Sequence, residues 1–231
     1  MIADSLKKVQ ENINRACERA GRDPGEVTLV AVSKTKPNEV LQEAYDAGVR
    51  VFGENKVQEL VGKMDSLPED IAWHMIGHLQ RNKVKYIAGR VALIHSVDSF
   101  RLAEEINIQA KKRGIVIPVL IEVNVGEENS KFGVYVEDTI DLVRQAAELD
   151  GVSIKGLMTI APYVVDPEEN RPLFHKIRDL ALDIRSENIH NVSMDILSMG
   201  MTNDYEVAVE EGATIIRVGT GIFGERQYNN S

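Results

Sequence analysis

The chain has 231 residues, 43% hydrophobic and 27% charged, a composition that excludes an intrinsically disordered protein. Its formal net charge of −9, with no lysine or arginine run longer than three, excludes a surface built to neutralise nucleic-acid phosphates. Its one cysteine cannot form an internal disulfide, and no apolar stretch is long enough to span a membrane, so we expect a cytoplasmic protein with no nucleic-acid or membrane partner.

The chain begins with an amphipathic segment, residues 3–20, that predicts a helix ending at Gly21. Charged residues within it, such as Asp4, are not typical of a secretory signal peptide. From there the sequence alternates short β-branched runs with helical patterns. The runs predict strands at 27–33, 49–53, 71–77, 91–97, 116–124, 152–160, 192–199 and 213–219, and the patterns between them predict helices at 38–47, 54–64, 81–88, 99–113, 136–149, 168–187 and 203–211.

The alternation of strands and helices predicts the fold. The strands are apolar on both faces, which indicates a parallel sheet covered by helices. Eight such strands predict an α/β fold of one closed (β/α)8 TIM-type barrel with an extra N-terminal helix. An open doubly wound sheet is the alternative, but the GxGxxG turn that would favour it is missing. No linker or repeat divides the sequence, so we expect residues 1–231 to form a single domain.

Polar residues follow almost every predicted strand, at the rim where barrels of this kind carry their chemistry. Lys34 is the most informative, because a desolvated lysine has a lowered pKa and its neutral amine can form a Schiff base with an aldehyde. A solvated rim position is the alternative for Lys34, and Lys36 competes with it, since spacing alone does not decide between the two lysines. The complete set is Lys34, Glu54, Asn55, His78, Ser96, Asp98, Asn124, Thr159, Ser198, Arg217 and Thr220.

The last two strands predict a phosphate site. In (β/α)8 barrels the loops after strands seven and eight commonly bind phosphate, and here they include SMGM (198–201) and GTGIFG (219–224). Their glycines let backbone N–H groups approach phosphate oxygens, while Ser198 and Thr220 add hydroxyl donors. Arg217 lies among apolar strand residues and needs an acceptor there. A lysine for imine formation, a phosphate cup and a strand arginine predict a pyridoxal 5′-phosphate site in which Arg217 faces the pyridine nitrogen.

Six motifs resemble those of the pyridoxal phosphate homeostasis proteins over essentially the whole chain. They are AVSKTKP (31–37), FGENKVQE (52–59), WHMIGHLQRNK (73–83), GLMTIAP (156–162), SMGM (198–201) and RVGTGIFGER (217–226). The resemblance implies a fold like the barrel domain of alanine racemases, with the cofactor held on Lys34 as a Schiff base. It also implies that Asn55 lies beside the cofactor, that Arg217 meets the pyridine nitrogen, and that the phosphate is held by Ser198, Gly200, Gly219 and Thr220.

Three further residues have predicted roles outside the cofactor contacts. We expect a structural hydrogen-bonding role for His78, although an acid–base role is the alternative. Lys131 is expected to be a solvated loop lysine rather than a second amine at the site, and Trp73 to lie in the core. No cluster of histidine, cysteine, aspartate and glutamate has metal-ligand spacing, so no metal is expected.

Two classes of function fit a barrel with a lysine-bound cofactor: an amino-acid racemase or decarboxylase, and a carrier that acts in vitamin B6 homeostasis. A cofactor-free aldolase is a weaker third. An arginine at the pyridine nitrogen weakens the electron sink that carbanion chemistry needs, although racemases of the related fold share it. Those enzymes also take a tyrosine acid–base group from an additional β domain and a second subunit, for which a chain ending at Ser231 leaves no room. We therefore expect a monomeric carrier without established catalysis, with pyridoxal-phosphate-dependent apo-enzymes as candidate partners.

Overall fold

The computed structural model describes residues 1–128 and 130–225. Within these ranges eight strands pair in parallel and in chain order, and the first pairs with the eighth to close a barrel. This confirms the predicted (β/α)8 fold and excludes the open sheet. The last position of the RVGTGIFGER motif, Arg226, lies outside the described residues. The strands are β1 (Thr28–Val32), β2 (Val51–Glu54), β3 (Ala72–Met75), β4 (Leu93–Val97), β5 (Ile117–Val123), β6 (Val152–Thr159), β7 (Val192–Met201) and β8 (Ile215–Val218).

Helices connect the strands around the outside of the barrel, and their bounds differ from the predicted ones mainly at the ends. The predicted helix at 54–64 begins only at Val57, because Glu54 still belongs to β2. The predicted helix at 81–88 is a 3-10 turn, Arg81–Lys83, followed by one short helix. The helices are α1 (Ile2–Ala20), α2 (Asn38–Asp46), α3 (Val57–Met64), α4 (Val84–Ile87), α5 (Phe100–Lys111), α6 (Val136–Ala147), α7 (Arg171–Ser186), α8 (Tyr205–Glu210) and α9 (Thr220–Phe223).

The extra N-terminal helix, α1, packs against α8. It ends where Gly21 adopts a left-handed conformation, with φ of 66°, a geometry that glycine reaches without a side-chain clash. The apolar face that the sequence predicts is buried, and polar contacts flank it, including a 2.8 Å hydrogen bond from Asn12 Nδ2 to Tyr205 Oη. No helix in the described ranges is both long and apolar enough to cross a membrane.

The core has two parts, one on each side of the barrel wall. The larger part lies between the strands and the helices and includes Trp73, which confirms its predicted core position. The smaller part fills the barrel interior with Val30, Leu93, Leu120, Met158 and Ile215. The interior also contains buried polar residues on several strands, which are His74, His95, Glu122, Ser198 and Arg217. Because a barrel interior is otherwise apolar, this polar group marks the end of the barrel that carries the site.

Candidate functional site

A pocket of about 270 Å³ opens among the loops that follow the strands. It brings together four of the seven residues that the sequence assigned to cofactor binding, namely Lys34, Arg217, Gly219 and Thr220. The other three, Asn55, Ser198 and Gly200, are not among the described residues that line the pocket. The lining consists of Val32, Lys34, Lys36, Tyr163, Met201, Thr202, Asn203, Arg217, Gly219, Thr220 and Gly224.

Lys34 lies in a tight turn directly after β1. The backbone N–H of Lys36 donates to the carbonyl of Ser33 at 3.1 Å, which closes a four-residue turn. Thr35 occupies its third position with φ of 65°. A positive φ at that position is a feature of type II turns, in which glycine or asparagine is the usual residue there. The half-buried Lys34 side chain lines the pocket from this turn.

Lys36, the competing lysine, has a different set of contacts. Its Nζ donates to the carbonyl oxygens of Phe223, Gly224 and Glu225 at 3.0, 3.4 and 3.3 Å. These carbonyls follow β8, so the Lys36 ammonium ties the loop after β1 to the loop after β8. All three donors of the Lys36 ammonium can therefore be used on the backbone after β8.

Arg217 is buried on β8, and both of its terminal nitrogens have partners. Nη1 donates to the Ser198 hydroxyl at 2.6 Å, and Nη2 donates to the Thr159 carbonyl at 2.8 Å. Burial lowers the pKa of Arg217 to about 10, and the carboxylates of Glu122 and Asp204 oppose that shift. The guanidinium therefore stays charged at neutral pH and is held in one orientation.

A row of two histidines continues from Ser198 across the barrel interior. Ser198 Oγ lies 2.9 Å from His95 Nδ1, and His95 Nε2 lies 2.9 Å from His74 Nδ1. Burial lowers the pKa of His74 to about 4 and that of His95 well below its ordinary value, so both rings are neutral at neutral pH. Because the arginine can only donate, Ser198 accepts from it, and the serine hydroxyl can then donate to His95, which can donate to His74.

Sequence reasoning missed these two histidines because they lie in the middle of strands rather than at their ends. The available signal was a titratable residue inside an otherwise apolar run, in AWHM and LIHSV. Glu122, the second-last residue of β5, was also missed. Burial and the nearby Asp98 raise its pKa to about 7, Arg217 opposes this, and its Oε2 has no hydrogen-bond partner among the described residues.

The phosphate side of the pocket is built from the loops after β7 and β8. Thr202, which the sequence analysis did not select, accepts from the backbone N–H of Gly221 at 3.2 Å, and its Oγ1 lies 3.2 Å from Thr220 Oγ1. Two hydroxyls and the glycine backbone at Gly219 thus lie together in the pocket lining. The signal for Thr202 was its position immediately after SMGM. The Ser198 hydroxyl is fully buried and contacts Arg217 and His95. Its contact with the phosphate therefore stays a prediction.

Gly200 and Asn55 contribute in other ways. A Cβ on Gly200, whose φ is 90°, would lie 2.5 Å from Ala208 Cβ and 2.9 Å from Tyr205 Cα. Glycine is therefore needed there for β7 to pack against α8. The Oδ1 atom of Asn55 is buried and has no hydrogen-bond partner among the described residues, so it is an available acceptor beside β2.

His78 and Lys131 lie on the rim. The His78 ring stacks on Phe132 with a centroid distance of 3.8 Å, and its Nδ1 lies 3.5 Å from Asp98 Oδ2. These contacts agree with the structural role that we expect for His78. Lys131 is a partly exposed loop lysine, and its Nζ forms an ion pair with Glu128 Oε1 at 2.6 Å.

Relatives of the chain identify its family. Residues 5–227 match the family described as the alanine racemase N-terminal domain. A pyridoxal phosphate homeostasis protein of Aquifex aeolicus is 51% identical over 226 residues, which cover 97% of this chain and 98% of that protein. The chain belongs to the pyridoxal phosphate homeostasis protein family. Another member, from Escherichia coli, is 40% identical over 233 residues, with 99% of this chain and 98% of that protein covered.

Solved structures agree with this family assignment. PipY of Synechococcus elongatus, a structure with pyridoxal phosphate bound, superposes with a TM-score of 0.83 at 36% identity and covers 97% of this chain and 100% of its own. An alanine racemase of Clostridium difficile superposes with a TM-score of 0.74 at only 14% identity, which shows the shared fold alone. The match covers 98% of this chain but 58% of that enzyme. The predicted family and the predicted alanine-racemase-like fold are both confirmed.

Proposed function

We propose that this protein binds pyridoxal 5′-phosphate on Lys34 and acts in intracellular vitamin B6 homeostasis, as a carrier without catalysis of its own. The observation that carries the proposal is the convergence of an amine, a buried guanidinium and a hydroxyl-lined glycine loop, from Lys34, Arg217, Gly219 and Thr220, in one pocket. The names of the family members and the pyridoxal phosphate bound to PipY support the same ligand.

The pocket fits an aldehyde at its Lys34 side. In the proposed step the neutral Lys34 amine attacks the aldehyde carbon, a C–N double bond forms, and the aldehyde oxygen leaves as water. Lys36 is a poor candidate for this step because its ammonium donates to three carbonyls after β8. Attack by water or by the amine of another molecule breaks the same C–N bond and releases the cofactor, which suits a carrier.

The pocket fits a pyridine ring at its Arg217 side. The guanidinium is fixed by Ser198 and Thr159, so it can donate to a ring nitrogen without reorganising. With a pKa of about 10 it does not give up a proton at neutral pH, and the ring nitrogen stays unprotonated. An unprotonated ring is a weaker electron sink, which disfavours carbanion chemistry and favours a carrier.

The glycine loops form the phosphate side of the proposed site. We assign the phosphate contacts to the Gly219 backbone and to the hydroxyls of Thr220 and Thr202, which line the pocket together. Gly200 and Ser198 support this cup, Gly200 by allowing β7 to pack on α8 and Ser198 by holding Arg217. Asn55 lies outside the described pocket lining, and its contact with the cofactor stays a prediction.

An amino-acid racemase or decarboxylase is the alternative function, because Glu122 is a buried carboxyl whose pKa of about 7 suits acid–base chemistry. Against it, the described lining of the pocket contains no carboxylate and no histidine, and its one tyrosine, Tyr163, is 86% exposed. We therefore favour the carrier, which we expect to be monomeric and to supply pyridoxal-phosphate-dependent apo-enzymes.

Titration with pyridoxal phosphate tests the proposal. The visible absorption of the mixture should change as an imine forms, with one equivalent bound, and the change should be lost in Lys34→Ala. Lys36→Ala is the matched control, because it removes a neighbouring lysine and leaves the proposed amine in place. An unchanged spectrum with the unaltered protein would refute pyridoxal phosphate binding through an imine.

A further inference from the structure

A buried ionic cluster lies directly behind the Lys34 turn, outside the pocket described above. Lys63, on α3, is almost completely buried, and its Nζ lies 2.6 Å from Glu54 Oε1 and 2.7 Å from Glu59 Oε1. Its third hydrogen bond, of 2.8 Å, goes to the carbonyl oxygen of Ser33. All three donors of the ammonium are therefore used, two of them on carboxylates and one on the backbone before Lys34.

The same carboxylates also bind the turn. Glu59 Oε1 accepts from the backbone N–H of Thr35 at 2.6 Å, and Glu54 Oε1 accepts from the Ser33 hydroxyl at 2.6 Å. The cluster thus contacts the residue before Lys34 and the residue after it. Lys34 is the residue between these two fixed points.

The turn needs this support because of the residue at its third position. Thr35 has φ of 65°, a left-handed conformation that a β-branched residue adopts at a cost. Such conformations persist only where surrounding contacts hold them, and they occur most often at functional sites. Glycine at that position would adopt the same conformation without this cost.

We propose that Lys63, Glu54 and Glu59 are positioning residues that hold the Ser33–Lys36 turn in the conformation that presents the Lys34 amine to the pocket. This inference rests on the proposed function, because it assigns Lys34 as the amine that binds the aldehyde. It adds residues that no pocket contact reveals: the described lining of the pocket contains none of the three. A purely structural ion pair would stabilise the fold without affecting Lys34 selectively.

Variants of Glu59 give the most direct test. Its side chain is the most exposed of the three residues in the cluster, so its loss disturbs the core least. Glu59→Ala removes the acceptor of the Thr35 N–H, whereas Glu59→Gln keeps an oxygen there. Gln58→Ala is the matched control, since Gln58 is an exposed neighbour on the same helix. The double variant Lys63→Met with Glu54→Gln removes both buried charges together, so that neither is left unpaired in the core.

Two ligands separate Lys34 positioning from general damage to the pocket. Pyridoxine 5′-phosphate has the same ring and phosphate as pyridoxal phosphate but an alcohol in place of the aldehyde, so it cannot react with Lys34. Glu59→Ala should weaken binding of pyridoxal phosphate by about tenfold or more, because misplacing a reacting group by about 1 Å has effects of this size. Binding of pyridoxine phosphate should stay within about twofold, and Glu59→Gln should restore the aldehyde ligand.

Hydrogen exchange of the ligand-free protein gives a readout that is independent of the cofactor. The Thr35 amide should exchange faster in Glu59→Ala than in Gln58→Ala, and Thr35→Gly in the Glu59→Ala background should recover part of the pyridoxal phosphate affinity. Equal losses of affinity for pyridoxal phosphate and pyridoxine phosphate in Glu59→Ala would overturn the positioning role. So would an unchanged Thr35 exchange rate and an unchanged pyridoxal phosphate affinity in Glu59→Ala and in the double variant. If the unaltered protein forms no imine, the proposed function fails instead, while exchange still reports whether the cluster holds the turn.

Discussion

Arg217 donates a 2.6 Å hydrogen bond to Ser198, and this bond links the guanidinium at the pocket to the neutral pair His95 and His74 inside the barrel. The arrangement keeps a charged group in an apolar barrel by giving it acceptors that are themselves held in place. It also changes what Ser198 is expected to do: its hydroxyl orients the arginine. Measurements can separate this role from a direct contact with phosphate.

Ser198→Ala should weaken pyridoxal and pyridoxal phosphate to a similar extent, because both carry the ring that Arg217 meets. Loss of a hydrogen bond to a buried charge should also lower the free energy of unfolding by about 1.5–3 kcal/mol, measured by urea denaturation. Ser186→Ala, an exposed serine on α7, serves as the control. A loss confined to the phosphorylated ligand would instead place Ser198 in the phosphate cup.

Thr220→Ala should show the opposite selectivity. Removal of a hydroxyl that donates to a charged oxygen costs about 1.5–3 kcal/mol, so pyridoxal phosphate affinity should fall about tenfold or more. Affinity for unphosphorylated pyridoxal should barely change, and Thr202→Ala should behave in the same way. Equal losses for both ligands would show that these hydroxyls do not contact phosphate.

Glu122 should make the protein less stable as the pH rises. Its pKa is raised from 4.5 to about 7, so between these values the folded state retains a proton that the unfolded state has lost. The contribution of the group is complete below pH 4.5 and is lost as the pH rises through 7. Relative to the unaltered protein, Glu122→Gln should therefore gain about 3 kcal/mol of stability across this window.

The free energies of unfolding of Glu122→Gln and of the unaltered protein must be compared at the same pH. His74 has a pKa lowered to about 4, so its contribution runs in the other direction and is lost as the pH falls from 6.5. That loss is common to both proteins and cancels in the difference. Denaturant titrations at several pH values measure it, and a difference that does not grow between pH 4.5 and 7 would show that Glu122 ionises at an ordinary pH.

If the protein is a carrier, it should not activate amino acids beyond what free cofactor does. Exchange of the α-hydrogen in deuterated water requires carbanion formation, so it reports chemistry even when no product accumulates. Incubation of the loaded protein with L-alanine and other L-amino acids should give exchange no faster than with free pyridoxal phosphate. Exchange that is well above that level, and that is lost in Lys34→Ala, would favour a racemase or decarboxylase function over the carrier function.

The sequence predicted the barrel well because its strands are buried on both faces, which makes each an uninterrupted β-branched run. It also placed Lys34, Arg217, Gly219 and Thr220 at one rim, since the carboxyl ends of all eight strands share that rim. Side-chain contacts between strands could not be predicted, because they depend on strand register. The row from Arg217 to His74 joins four strands, and no local pattern reveals which interior positions face each other.

The cluster behind Lys34 was missed for a related reason. Glu54 was selected as a strand-end residue, but Lys63 lies nine positions further along, on the inner face of a helix where lysine is uncommon. The Thr35 conformation was also not predictable, because threonine is a poor residue for a left-handed turn and the contacts that hold it come from α3. The sequence therefore predicted a lysine for imine formation without the residues that contact its turn.

The site of covalent attachment tests the central claim most directly. Borohydride reduces an imine to a stable amine, so treatment of the pyridoxal phosphate complex should leave one adduct per chain that peptide mass mapping can locate. We predict the adduct on Lys34, with none in Lys34→Ala and full labelling in Lys36→Ala. An adduct found only on Lys36, or none at all, would contradict the account.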